Sequence, residues 1–286
     1  MVSKLFIYPV KSCKGIKVES FVTGKHAAEL GALVDRQFMV VDHKRKLLTA
    51  RKHPNMVLIE VDVVDNMLTM RYPGLEEVRV NIPDSAGVKL DTGYDVFGDQ
   101  CQGVDLGEAA GRWLSEVILN NEAGGLRLVF HPKSSSSRPD KAATSVAPNM
   151  NVEDKPYFAD TFAYMMLSAA SIAGLNKMLD KEEVDLTVEV TRFRPNILIE
   201  GDFPEFAEDK WPSIKIGEVV FRNVRVCDRW VGAATRHGIM SQSHDDVQVR
   251  VHQCGPFHRG QTSPAGATEN LEVSAVQHLL INHTWL

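Results

Sequence analysis

Three stretches of the chain gather positive charge and small polar groups beside residues that bend or stiffen the backbone. The first is Tyr8-Pro9-Val10-Lys11-Ser12-Cys13-Lys14-Gly15. Pro9 disfavours regular strand pairing and Gly15 permits a tight exit. Lys11 and Ser12 are therefore expected to leave a strand together, offering an ammonium and a hydroxyl to an anion. The second stretch is Asp35-Arg36, followed later by Thr49-Ala50-Arg51. An arginine beside a carboxylate is either a structural ion pair or a guanidinium held ready to fork onto phosphate. The third is Thr191-Arg192-Phe193-Arg194-Pro195-Asn196. Pro195 fixes its own φ and pushes Arg194 toward an extended conformation. In a regular strand Arg192 and Arg194 would share a face. Two arginines and an amide at a rigid strand entrance are costly to bury without a partner, and a phosphate or heterocycle would supply one. Together the stretches point to a cradle for an anionic, phosphate-bearing ligand.

Positioning these groups falls mainly to short strands. Runs rich in Val, Ile and Leu predict strands at Lys4–Lys11, Lys17–Thr23, Gln37–Asp42, Lys46–Arg51, Met56–Val63, Met67–Tyr72 and Glu77–Ile82. Asp65-Asn66, Pro73-Gly74 and His43-Lys44-Arg45 supply turns between them. In Asp105–Leu119, Leu106, Ala109, Ala110, Trp113, Leu114, Val117 and Ile118 fall on one helical face, with Asp105 as the expected cap. Leu126–Phe130 reads as a strand. The serine-rich segment Pro132–Asn149 has almost nothing to bury and reads as a linker or exposed loop, the expected boundary of the chain. Beyond it a helix is predicted over Ala169–Lys181 with Ser168 as N-cap, because Ile172, Leu175, Met178 and Leu179 are helically spaced. Strands are predicted near Thr187–Arg192, Asn196–Ile199, Ile214–Ile216 and Val219–Arg225.

The composition narrows what such a cradle can serve. With 44% hydrophobic residues over 286 positions, the chain can fill one large core or two ordinary ones. A net charge of -5 argues against nucleic acid as a partner, so an anion site must be a local concentration of cations. Cys13, Cys101, Cys227 and Cys254 form no C-x-x-C pair, which fits neither a disulfide framework nor a structural zinc site. No apolar run is long enough to predict a transmembrane helix. The opening Met1-Val2-Ser3-Lys4-Leu5-Phe6-Ile7-Tyr8 reads as a first strand rather than a signal peptide.

Taken in order, Tyr8–Gly15, Asp35-Arg36, Thr49-Ala50-Arg51, Phe193-Arg194-Pro195-Asn196-Ile197, Glu208-Asp209-Lys210-Trp211 and Ile216-Gly217 make a succession more specific than any one motif. From about Lys4 to Arg229 the chain resembles the MOSC-domain family, and within it the mitochondrial amidoxime-reducing component proteins. The resemblance implies an α+β, β-rich fold. An N-terminal MOSC β-barrel-like domain would cover 1–130, and a MOSC domain built on a β-barrel with flanking helices would cover 131–286, divergent from about 240. It implies the pterin-type molybdenum cofactor, Mo-molybdopterin. The residues that match the family's cofactor-binding positions are Lys11, Ser12, Arg36, Thr161, Arg194, Asn196, Asp228 and Arg229. The family often has serine after the threonine of Asp160-Thr161, where this chain has Phe162. Molybdenum-cofactor sulfurases share the fold but add a pyridoxal-phosphate domain for which this chain has no room, so no pyridoxal phosphate is expected.

The resemblance also implies an activity, the reduction of N-hydroxylated compounds such as amidoximes and hydroxylamines. Electrons would come from a cytochrome b5-type haem protein and its NADH-dependent reductase. It implies the mitochondrial outer membrane, or the cytoplasm if no anchor precedes residue 1. One element departs from the pattern. Family members of this branch end a Cys-x-Arg-Cys-like element with the cysteine that bonds molybdenum, whereas this chain reads Cys227-Asp228-Arg229-Trp230. An indole offers an N–H donor and no soft anionic sulfur. Cys227, three positions earlier, would have to serve as the metal ligand through a shift in register. The alternative is a non-catalytic or degenerate cofactor-binding module. Beyond Met240 only Gln253-Cys254 resembles the family, so the chain is either a divergent paralogue or carries an altered reading or splice form at its end.

Overall fold

A computed structural model describes residues 1–85, 88–120, 124–133, 156–160, 162–181, 186–228, 250–256 and 271–273, with 224–228 and the last two segments described through their backbone course alone. The chain forms two compact units, each discontinuous in sequence: Ile7–Ile16 with Glu29–Thr161, and Met1–Phe6 with Lys17–Ala28 and Phe162–Leu286. Both are strand-rich, as expected of an α+β, β-rich chain.

In the unit that contains Lys11, a four-stranded antiparallel sheet runs in the order Asp91–Val96, Asp99–Asp105, Arg127–Phe130, Phe38–Val41. Phe38–Val41 is buried at every position, because both faces of its sheet are covered. Phe38 and Val40 join Leu128, Phe130, Met56, Leu68, Met70 and the apolar face of the helix Glu108–Leu119 in one core. Met39 and Val41 point the other way, toward Val129, Tyr94, Val96 and Phe158. That second cluster fixes Phe158, whose backbone matters below. A three-stranded meander, Glu60–Val64, Met67–Arg71 and Val78–Asn81, completes the first core, with Asp65-Asn66 at its first turn as the sequence indicates.

Lys46–Arg51 is no strand: Lys46 and Leu47 make only isolated bridges to Asp95 and Val41. Met56–Val63 opens as a 3-10 turn over Pro54–Leu58, with Pro54 at its start, before the strand Glu60–Val64 begins. The helix starts three residues after Asp105, whose Oδ1 accepts the Gly107 N–H at 2.8 Å and so turns the chain into a Gly107 cap. The hairpin Asp91–Val96/Asp99–Asp105 was not anticipated.

The other unit is organised on an eight-stranded sheet in the order Leu271–Val273, Ser213–Ile216, Val219–Asp228, Arg250–Pro256, Tyr164–Ser168, Ile197–Ile199, Val2–Ile7, Ile16–Val18. The predicted helix Ala169–Lys181 follows the buried strand Tyr164–Ser168 directly and crosses over to its parallel neighbour Ile197–Ile199. Its start is capped as expected, with the Ser171 N–H donating to Ser168 Oγ at 3.0 Å. The buried Glu208 Oε1 reinforces this end, accepting from the Ser168 N–H at 3.1 Å and from Ser171 Oγ at 2.6 Å. The strand expected over Thr187–Arg192 is instead a short 3-10 turn, Val190–Arg192.

The Pro132–Asn149 boundary loop lies, from residue 134, outside the described residues. Among the described residues no helix is long and apolar enough to cross a membrane.

Candidate functional site

The turn that follows the first strand is set by sterics. Gly15 passes so close to Tyr8 that a Cβ there would sit 2.2 Å from Tyr8 Cε1. The turn is held from both sides: the Lys11 N–H donates to the Phe38 carbonyl at 2.8 Å and the Lys14 N–H to the Ile59 carbonyl at 3.0 Å. Ser12 adopts φ 71 at its apex, in the left-handed region that side-chain-bearing residues seldom enter. Cys13, next in sequence, is fully buried.

Lys11 itself is buried, and its ammonium turns inward. Nζ donates to the Phe158 carbonyl at 2.7 Å and forms an ion pair with Asp160. Arg36 is also buried, again with a left-handed backbone at φ 48. Its guanidinium pairs with Asp35 and lies over the Tyr8 ring, 4.6 Å from the centroid. Asp35 Oδ1 accepts the Tyr8 N–H at 2.8 Å, so the carboxylate is satisfied by backbone as well as by charge, which burial of an ion pair requires. Phe158 joins the two cations: its N–H donates to the Arg36 carbonyl at 3.0 Å while its carbonyl receives Lys11. Lys11 and Arg36, far apart in sequence from residues 158–160, are thereby fixed to one short segment. Of the two roles open to Asp35-Arg36, the ion pair is formed. It leaves the guanidinium oriented rather than mobile.

Next to this segment, Gln37 and His131 exchange bonds: the His131 N–H donates to the Gln37 carbonyl at 2.9 Å and Gln37 Nε2 to the His131 carbonyl at 3.0 Å. The His131 ring packs at 4.8 Å from Tyr157 and 5.3 Å from Phe158. Burial pushes the Tyr157 phenol well above its ordinary range, and the Glu29 carboxylate adds to the effect, so the ring stays a neutral wall of the segment.

Arg194 and Asn196 belong to the other unit. The extended conformation expected before Pro195 is not adopted. Arg194 holds φ 58, and its N–H donates to the Thr191 carbonyl at 3.2 Å, closing the 3-10 turn. Arg192 and Arg194 therefore do not alternate along a strand, and the shared face expected of them does not exist. Asn196 is completely buried and stitches three strands. Oδ1 accepts the Met165 N–H at 3.2 Å and Nδ2 donates to the Phe6 carbonyl at 3.2 Å, beside two backbone bonds to the same residues.

Of the remaining sequence candidates, Thr161 and Arg229 lie outside the described residues, as does Trp230. Cys227 and Asp228 are placed by backbone only, opposite Val251 and Arg250 in the strand pair Val219–Asp228/Arg250–Pro256. Reading the sequence did not reveal Phe158 and Asp160 as partners, which no local pattern connects to Lys11 or Arg36, nor that the Tyr8 ring lies under Arg36.

Comparison with known proteins places this geometry in a family. Residues 1–121 match the model of the MOSC N-terminal beta barrel domain, and residues 153–279 match the MOSC domain. Mitochondrial amidoxime-reducing component 1 of Homo sapiens is 32% identical over 264 residues, covering 90% of this chain and 74% of that protein. The chain belongs to the MOSC-domain family, of the mitochondrial amidoxime-reducing component type. Mitochondrial amidoxime reducing component 2 of Bos taurus is 31% identical over 230 residues, and component 1 of Mus musculus 32% over 228. The chain spans 65% of the bovine relative and 63% of the mouse one. Lys11, Ser12 and Arg36 of this MOSC chain fall within the match to the N-terminal barrel domain, and Arg194 and Asn196 within the match to the MOSC domain.

Proposed function

We propose that this chain binds the pterin-type molybdenum cofactor, with Lys11, Ser12, Arg36, Thr161, Arg194, Asn196, Asp228 and Arg229 as its contacts. The observation that supports this most directly is backbone strain at the residues matching the family's positions. Ser12, Arg36 and Arg194 all hold positive φ. Each of the three lies in a turn or closes one, as do Arg45 and Asp65-Asn66, but these three are also the positions that match the family's cofactor-binding residues. A left-handed arginine costs roughly 1–2 kcal/mol and persists where the surroundings over-determine it, which is common at ligand clamps. The donor set suits the group. An ammonium and a guanidinium, both buried and both held by carboxylates, are preorganised for phosphate, and the Ser12 hydroxyl sits at the apex of the same turn.

The activity we propose is reduction of N-hydroxylated compounds, with electrons delivered by a cytochrome b5-type haem protein and its NADH-dependent reductase, at the mitochondrial outer membrane. The cofactor supplies the two-electron redox chemistry when bound. The chain's own residues bind and orient. Lys11 and Arg36 neutralise the phosphate, Asp35 and Asp160 keep those cations aimed, and the Tyr8 ring supports the guanidinium from below. Cys227 is the candidate thiolate, displaced by three positions from the family's ligand, where Trp230 stands.

The test is expression with cofactor supply, followed by quantification of pterin and molybdenum and an assay of benzamidoxime reduction with the haem partner. Stoichiometric pterin with turnover is the expected result. Pterin without turnover would leave a binding module and sink the reductase; absence of bound pterin would sink both. A Trp230→Cys variant that raised molybdenum occupancy at constant pterin would identify position 230 as the deficient ligand position.

A further inference from the structure

The hairpin Asp91–Val96/Asp99–Asp105 turns through two residues, Phe97 and Gly98, at φ 56 and 94. Both are left-handed, the geometry of the tight primed turn whose first position belongs to Asn, Asp or Gly. The chain obeys that preference elsewhere. The equivalent turn between Val64 and Met67 is Asp65-Asn66, at φ 49 and 59. At Phe97 a bulky aromatic residue occupies the same strained position, and its side chain is 53% exposed rather than packed in a core. Neither turn chemistry nor burial explains it there.

Its neighbours give a reason. Lys11 Nζ lies 5.5 Å from the centroid of the Phe97 ring, and the Arg51 guanidinium carbon lies 5.4 Å from it. Lys11 is the same buried ammonium that Phe158 and Asp160 hold in place. An electron-rich ring beside two cations, still open to solvent, is suited to a ligand that is both planar and anionic. The ligand's ring would pack against the exposed part of Phe97, and its charge would answer Lys11 and Arg51.

Building on the cofactor reading of the Lys11 turn, we infer that Phe97 is a specificity-determining contact of that site: with Arg51, it selects ligands in which a phosphate is joined to a planar heteroaromatic ring over phosphate alone. Phe97 holds its strained conformation for this contact, so relieving the strain separates stability from binding.

Three proteins test this: the wild-type chain, Phe97→Asn and Lys11→Ala. A pterin phosphate is titrated into each by its own fluorescence, inorganic pyrophosphate is measured as a competitor, and thermal midpoints are recorded without ligand. The wild-type chain should bind both probes, and Lys11→Ala should weaken both. Phe97→Asn should weaken the pterin phosphate about tenfold, or about 1.4 kcal/mol, the size of one aromatic stack, while pyrophosphate competes as in the wild type. Its thermal midpoint should equal or exceed the wild-type value, because asparagine suits the turn. Unchanged pterin-phosphate affinity in Phe97→Asn, or an equal loss for both probes, overturns the inference and leaves the anion site standing. A lowered midpoint with unchanged affinities overturns it in favour of a structural ring. Failure of the wild-type chain to bind either probe refutes the cofactor reading itself, and this inference with it.

Discussion

Gly15→Ala is a small substitution with a traceable route to the site. The added Cβ would lie 2.2 Å from Cε1, 2.7 Å from Cδ1 and 2.8 Å from Cζ of Tyr8. Carbon atoms in contact sit about 3.5–4.0 Å apart, so something must move by more than about an ångström. Tyr8 cannot swing outward, being 1% exposed with the Arg36 guanidinium stacked on it. Overpacking of this kind costs about 1–3 kcal/mol. At roughly 2–4 °C per kcal/mol for a domain of 150–250 residues, the thermal midpoint should fall by about 2–12 °C. Displacing the ring also removes the support of Arg36, a contact worth about 0.5–2 kcal/mol, so phosphate-ligand affinity should drop roughly two- to thirtyfold. Calorimetry and a pterin-phosphate titration measure the two effects. In a Tyr8→Leu background, where the ring is gone, Gly15→Ala should cost less in both, which a double-mutant cycle would detect. An unchanged melting midpoint, or lost stability with intact affinity, would refute the route from Gly15 through Tyr8 to Arg36.

Three further outcomes are expected. Asn196→Ala leaves the Met165 N–H and the Phe6 carbonyl without their side-chain partner at a buried position, and should lower the unfolding free energy in urea by about 2–5 kcal/mol. Glu208→Ala should destabilise by about 2–4 kcal/mol through the start of the helix Ala169–Lys181, whereas Glu208→Gln, which keeps an acceptor for the Ser168 N–H and Ser171 Oγ, should recover most of it. The Tyr94 phenol is pushed up to about 12, chiefly by burial and then by the Asp91 and Asp105 carboxylates. The folded state thus holds its proton where the unfolded chain, titrating at about 10, has lost it. The contribution of Tyr94 should be constant below pH 10 and be lost as pH rises toward 12, seen in denaturant midpoints; Tyr94→Phe should make that fall shallower, with the remainder carried by the buried Tyr157 phenol.

What the sequence revealed follows the physics of each segment. The helix Ala169–Lys181 was legible because the Ser168 cap and the apolar spacing of Ile172, Leu175 and Leu179 agree. Val190–Arg192 was misread as strand because Val and Thr carry β propensity, while Pro195 and the left-handed Arg194 decide the backbone there. The hairpin at 91–105 stayed hidden because its strands carry Asp, Gly and Gln, and its turn is marked by a phenylalanine instead of a turn residue. At the site, Lys11, Ser12 and Arg36 were visible from charge beside Pro9, Gly15 and Asp35. The positive φ of Ser12 and Arg36 was not, nor was the shared attachment of Lys11 and Arg36 to Phe158, which lies more than a hundred positions away from both.

The placement of the first strand bears on how the chain is made. Val2–Ile7 lies inside the eight-stranded sheet, pairing Val2 with Ile199 and Leu5 with Ile197. During synthesis one of its neighbours in the sheet, Ile16–Val18, follows soon after it, whereas the other, Ile197–Ile199, appears almost two hundred residues later. At about 5–20 residues per second the edge that faces Ile197–Ile199 waits roughly 10–40 s for its partner. The unit that carries Lys11 and Arg36 can close earlier, because its segments end at Thr161. Nascent chains should therefore acquire the turn at Lys11 before the first strand finds its place.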